Sequence, residues 1–211
     1  MITAAQPGPD GLLRCPWALS APEYLGYHDD EWGRPVTSVQ GIYERMTLEA
    51  FQSGLSWITI LRKRENFRRA FAGFQPERVS TFTEDDIVRL LTDPGIVRNR
   101  AKITAAIENA RLVVDLGPKF AELVLGYQVV GRARPGPGEG RSTSPEAVAM
   151  ARQLKGLGFR FFGPTTAYAM MQAIGLVDDH VAGCFAPPPV WPDDNSTPKS
   201  HPKPEPDSGS D

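Results

Sequence analysis

Cysteine and histidine are scarce in this 211-residue chain, which holds two cysteines (Cys15, Cys184) and three histidines (His28, His180, His201). Two thiols cannot ligate an iron–sulfur cluster, which takes four, and they are too few for a disulfide-stapled scaffold. No run of 18 apolar residues occurs, so no membrane-spanning helix is expected. The opening residues, MITAAQPGPDGLLR, lack the basic start and apolar stretch of a secretory signal. The expectation is therefore a cytoplasmic protein, where a Cys15–Cys184 disulfide would not persist. Alternating β-branched runs are also missing, which argues for an all-α fold.

A strong charge of either sign is absent too. The formal net charge is -2, and the segment from Ala186 onward accounts for -3 of it, with five acids against Lys199 and Lys203, so the rest carries +1. Near-neutrality neither requires nor excludes a phosphate-bearing partner. Two local runs, RKRENFRR (62–69) and RNRAK (98–102), have the size of phosphate-contacting patches and equally that of solvated helix faces.

What is present reads as helices. VQGIYERMTLEAFQSGLSW and WITILRKRENFRRAFAGF space their apolar residues at helical intervals, with Gly73 as a stop. Thr83 followed by three acids starts another helix, NRAKITAAIENARLVVDL forms a long amphipathic one, and Ser144-Pro145-Glu146 opens a further one. In ARQLKGLGFRFFGPTTAYAMMQAIG, one helix ends at Gly156 or Gly158, a short apolar hairpin closes at Gly163, and a new helix begins at Pro164-Thr165. Such a helix–hairpin–helix offers backbone N–H groups to a phosphate, although an ordinary α-hairpin has the same pattern. The organisation expected is a flexible extension over 1–11, one domain over 12–185 with a Gly/Pro-rich exposed loop at 131–145, and a disordered, Pro-rich acidic tail over 186–211. His201 falls in that tail.

The other cysteines and histidines come as two pairs, Cys15 with His28 and His180 with Cys184. The i, i+4 spacing in DDHVAGC puts His180 and Cys184 on one face of a helical turn. Two thiolates with two imidazoles match tetrahedral zinc, and four protein ligands leave no position for water. The site expected is thus structural, one zinc per chain, tying the first folded residues to the last helix. Around it lie Trp17, Tyr24, Tyr27 and Trp32, with Trp57 beyond, and Glu49 interrupts an apolar helical face (Met46, Leu48, Ala50). Rings with one dry carboxylate suit a flat cationic ligand. The residues alone equally allow a plain aromatic core and a glutamate paired with an arginine.

Five separated segments, RCPW, YHDDEWG, LEAFQSGLSWITILRKREN, GIVRNRAKI and FFGPTTAYAMMQAIGLVDDHVAGC, resemble the bacterial DNA-3-methyladenine glycosylase I family over roughly Cys15 to Cys184. The resemblance implies a helix–hairpin–helix glycosylase fold with zinc on Cys15, His28, His180 and Cys184. It implies base flipping and hydrolytic excision of N3-methyladenine from alkylated double-stranded DNA by a monomer. It makes Glu49 the catalytic carboxylate that reads the base edge, Tyr27 a hydrogen-bonding wall, and Trp57 and Tyr24 stacking rings, with Trp17 and Trp32 completing the pocket. Asp178 stands near the position of the wider superfamily's catalytic aspartate. Two alternatives stay open: a zinc-stabilised DNA-binding module without catalysis, and a relative that takes 3-methylguanine or acts as a lyase. The lyase lacks a lysine in the pocket motifs.

Overall fold

The computed structural model describes residues 3–192. A two-residue antiparallel ladder, β1 (Gln6–Pro7) with β2 (Leu13–Arg14), precedes a 3-10 turn at Pro16–Leu19. A short α1 (Pro22–Gly26) then widens into a π-helical turn at Tyr27–Glu31. The body follows as α2 (Val39–Gln52), α3 (Trp57–Ala70), α4 (Pro76–Val79), α5 (Glu84–Thr92), α6 (Arg100–Leu116), α7 (Pro118–Leu125), α8 (Pro145–Gly156) and α9 (Pro164–Ala173). The chain is mostly helical, and the small ladder is the only sheet among the described residues. No described helix is long and apolar enough to cross a membrane.

Local chemistry explains the helix starts. Ser38, Asn99 and Ser144 each accept a hydrogen bond from the backbone N–H three residues on, the orphan donors of a first turn. Thr83 and Asp86 form a capping box, and three acids face the positive end of α5. Pro164 opens α9 where its missing N–H costs nothing. The long α2 sits centrally, packed against α3, α6, α7 and α9, and buries Ile42, Tyr43, Met46, Leu48 and Phe51. The Tyr43 hydroxyl donates to the Ala106 carbonyl at 2.9 Å, which ties α2 to α6.

The basic runs are largely consumed inside the molecule: Arg64 grips Glu31 at 2.6 and 2.8 Å, Arg62 meets Glu23, Arg68 meets Glu44, and Arg100 meets Glu84. Lys102 is buried rather than displayed. The stretch expected to be loose over 1–11 carries β1, because Gly11 reverses the chain at φ +81° and both Asp10 carboxylate oxygens take the Arg14 guanidinium. The loop over 131–145 is mostly exposed and is held at two points, with Arg132 on Glu146 at 2.9 Å and the Ala182 N–H donating to Pro135 at 2.9 Å. At the C-terminal side, Ala186 is buried beside Cys15, Val181 and Cys184, and Trp191 packs on the main core. The remainder of the expected tail, His201 included, lies outside the described residues.

Candidate active site and metal centre

The α2 helix ends in a tight turn, with the Leu55 N–H donating to Gln52 at 2.6 Å and Gly54 at φ +82°, and α3 begins at Trp57. That turn, the 3-10 turn and the π-turn enclose a cavity of about 490 Å³. All six residues expected of a base pocket line it: Trp17, Tyr24, Tyr27, Trp32, Glu49 and Trp57. Trp17 is the hub, 5.5 Å edge-on from Tyr24, 6.2 Å from Tyr27 and 5.1 Å from Trp32, centroid to centroid. Tyr27 and Trp57 stand 5.5 Å apart, and Arg64 lies 5.9 Å over the Tyr27 ring. A π-turn suits the task, since its extra residue re-aims side chains locally.

Glu49 is 6% exposed, and among the described residues no hydrogen bond or ion pair engages it. Nearby Arg45 is spent on Glu31 and Glu44. Burial pushes the Glu49 carboxyl up to about 8 against the opposing pull of Arg45, so in the free protein it is largely protonated at neutral pH. Among the described residues the buried Trp57 Nε1–H is also without a partner. The alternative of a glutamate satisfied by arginine is thus set aside by the geometry.

Sequence reasoning missed the polar part of the wall: Gln52, Gln172 and Asp179. Gln52 lies one turn beyond Glu49 on α2, a spacing that was readable. Asp179 holds the Tyr168 hydroxyl and the Gln172 amide, each at 2.7 Å, on one oxygen, while its other oxygen is buried, 4.0 Å from Arg141 Nη1 and without a hydrogen-bond partner among the described residues. Asp178 does not line the cavity; its carboxylate takes Arg134 Nε at 2.9 Å and His180 Nδ1 at 3.0 Å. Burial works to raise Asp178, but His180 and Arg134 outweigh it and hold the carboxyl below its usual range.

Behind Trp17 and Trp32 lies the Cys/His cluster. Cys15, His28 and Cys184 are buried, with ligand atoms all within 4.8 Å of one another. His180 is outside that triangle, yet its ring centroid is 5.2 Å from that of His28 and its buried Nε2 has no hydrogen-bond partner among the described residues. Both imidazoles are oriented alike: Nδ1 of His28 meets Asp29 at 2.8 Å, itself held by Arg14 at 2.8 Å, just as Asp178 and Arg134 hold His180. This carboxylate–histidine arrangement turns each Nε2 toward the thiols, that of His28 lying 3.4 Å from Cys184 Sγ, and is the usual outer shell of a zinc site. Hydrogen bonding from Cys15, with His28 beside it, draws the Cys184 thiol down toward thiolate. The donor set therefore fits zinc.

One part of that expectation fails. His180 and Cys184 do not share a helical turn, since α9 stops at Ala173 and both lie in the irregular segment beyond it. Gly175 at φ +75° presses against the Gly33 carbonyl, where a Cβ would come to 2.7 Å, and Gly183 adopts φ +86°. The cluster ties residues 15 and 28 to a loop, not to a helix.

A family model for methyladenine glycosylases matches residues 17–187. The chain belongs to the methyladenine glycosylase family. DNA-3-methyladenine glycosylase 1 of Escherichia coli K12 is 41% identical over 183 residues, spanning 84% of this chain and 98% of that protein. A crystal structure of a 3-methyladenine DNA glycosylase I superposes with a TM-score of 0.77 at 42% identity, covering 82% of this chain and 100% of the other. A Staphylococcus aureus member, solved to define its recognition of 3-methyladenine, gives 0.75 at 33% identity, covering 82% and 95%. Family membership thus accords with the cavity and with the helices around it.

Proposed function

We propose that the protein is a monofunctional DNA-repair hydrolase that flips an N3-methyladenine nucleotide out of alkylated double-stranded DNA and cleaves its N-glycosyl bond, leaving an abasic site. The observation that carries this reading is Glu49, a buried carboxylate inside a ring-lined cavity with no hydrogen-bond or ion-pair partner among the described residues. Alkylation at N3 leaves the base positively charged while it is attached to the sugar. Inside the cavity that cation offsets the desolvation that keeps Glu49 protonated, so its docking releases the proton and forms a charge-assisted pair. Uncharged adenine gives no such return, and the discrimination is electrostatic. Tyr27 and the Trp57 indole N–H supply further polar contacts, and Tyr24, Trp17 and Trp32 complete the aromatic walls.

Little acid catalysis is needed, because the bond electrons pass to a ring that is already cationic and the base departs neutral. Attack of water at the sugar carbon completes the hydrolysis. Extruding a nucleotide costs a few kcal/mol, and base–aromatic stacking at roughly 1–3 kcal/mol offsets much of it. Leu55, 43% exposed on the turn between the cavity residues Gln52 and Trp57, is the residue we assign to fill the vacated stack. The α8–α9 hairpin is assigned to the phosphate backbone. Zinc on Cys15, His28, His180 and Cys184 would cross-link the segments that carry Trp17, Tyr27 and Asp179, with no part in the bond cleavage. Among the described residues no lysine lines the cavity, which disfavours a lyase. A binding module without catalysis has no use for an unpaired buried carboxylate. A base-release assay on methylated duplex DNA tests the reading: released 3-methyladenine supports it, and intact DNA at stoichiometric protein contradicts it.

A further inference from the structure

Helix α6 carries two buried polar side chains, Lys102 and Asn109, that the chemistry above does not use. They lie seven residues apart, two helical turns or roughly 10 Å along one face. Lys102 Nζ donates to the carbonyls of Phe51 at 2.9 Å and Ser53 at 2.6 Å, at the C-terminal end of α2 where carbonyls lack helical partners. Asn109 satisfies both backbone groups of one hairpin residue: its amide donates to the Arg160 carbonyl at 3.0 Å, and its oxygen accepts the Arg160 N–H at 2.9 Å. The two anchored segments face each other, since Ser53 and Arg160 line the same open groove of about 570 Å³, together with Phe161 and Thr166. Phe161, 44% exposed, holds φ +55°, a backbone state that persists only where neighbours impose it. Neither Lys102 nor Asn109 lines the base cavity.

We infer that Lys102 and Asn109 are positioning residues that use α6 as a ruler, setting the separation between the Ser53–Leu55 turn and the α8–α9 hairpin so that both engage one duplex. This rests on the glycosylase reading above and deepens it. Displacement of either segment spoils the fit to DNA more than it disturbs the base cavity, because neither Ser53–Leu55 nor Arg160 lines that cavity.

The test compares wild type with Lys102→Met and Asn109→Leu. Single-turnover release of 3-methyladenine from methylated duplex DNA is followed against enzyme concentration, and affinity for free 3-methyladenine is read from tryptophan fluorescence. Misplacing a binding element by about an ångström costs up to about 100-fold, so duplex excision should fall about 10- to 100-fold while free-base affinity stays within about twofold. If either variant fails to fold, Lys102→Arg and Asn109→Gln, which keep donors at an altered reach, supply the same split in milder form. Parallel loss of free-base binding and excision would make the pair merely structural and overturn the inference. So would variants that match wild type on duplex DNA. Wild type that releases no base from methylated duplex would instead overturn the glycosylase reading itself.

Discussion

Glu49 owes its chemistry to its place on α2, where it is buried beside Leu48 and Ala50 with its nearest guanidinium already engaged. The interruption of an apolar face by one carboxylate was legible in the sequence, and so were the five rings, because helical spacing and composition report burial. Which of two adjacent aspartates faces the cavity was not legible: beyond α9 no periodicity applies, and Asp178 and Asp179 point to different partners. The raised Glu49 pKa has a consequence for stability. Its folded-state value of about 8 lies above the ordinary 4.5, so the folded protein holds an extra proton between them. The contribution is fully present below 4.5 and is lost as pH rises through about 8, at up to about 1.4 kcal/mol per pH unit. Thermal melts from about pH 5 to 9 should show Glu49→Gln gaining on wild type as pH rises. A difference independent of pH would contradict the assigned burial. Asp178→Asn, in contrast, should leave excision by zinc-loaded protein within about twofold and weaken metal retention by about 10- to 100-fold. A large loss of excision at full metal occupancy would return Asp178 to the chemistry.

At the scale of elements, the long helices and their starts were readable because caps and apolar periodicity are local. The π-turn at Tyr27–Glu31 and the loop that holds His180 and Cys184 were not, since both depend on packing against distant chain. Gly175 is there because only glycine fits against the Gly33 carbonyl, a contact 142 positions away in sequence that no local pattern announces. The Cys/His cluster joins these two irregular elements and stands directly behind Trp17 and Trp32. Metal analysis should find one zinc per chain. Cys184→Ser, by releasing the loop from the π-turn, should lower the melting temperature by roughly 10 °C, as a loss of a few kcal/mol does in a domain of this size. Unchanged stability without bound metal would remove zinc from the account.

Across the whole molecule, the small charge excess and the internal pairing of the basic runs go together. The α3 arginines that looked like a phosphate patch instead fasten α3 to α1, α2 and the π-turn, a use that composition cannot distinguish from display. Duplex binding should therefore depend only moderately on salt, with a slope on the order of two to four phosphate contacts. A slope near that of eight contacts would show that the ion pairs open on DNA. The N-terminal ladder and the 131–145 loop are fastened to the Cys/His cluster through Arg14 and Arg134, so both buttress it.

The central claim is that a buried carboxylate in an aromatic cage, which gives up its proton when a cationic base docks, selects a charged lesion. It is tested most directly by single-turnover release of 3-methyladenine from methylated duplex DNA, with wild type and Glu49→Gln side by side. Replacing a charge-assisted contact by a neutral one should slow release on the order of 10- to 100-fold in a protein that melts normally, while undamaged adenine stays in place for both. Equal rates for the two proteins would contradict the claim.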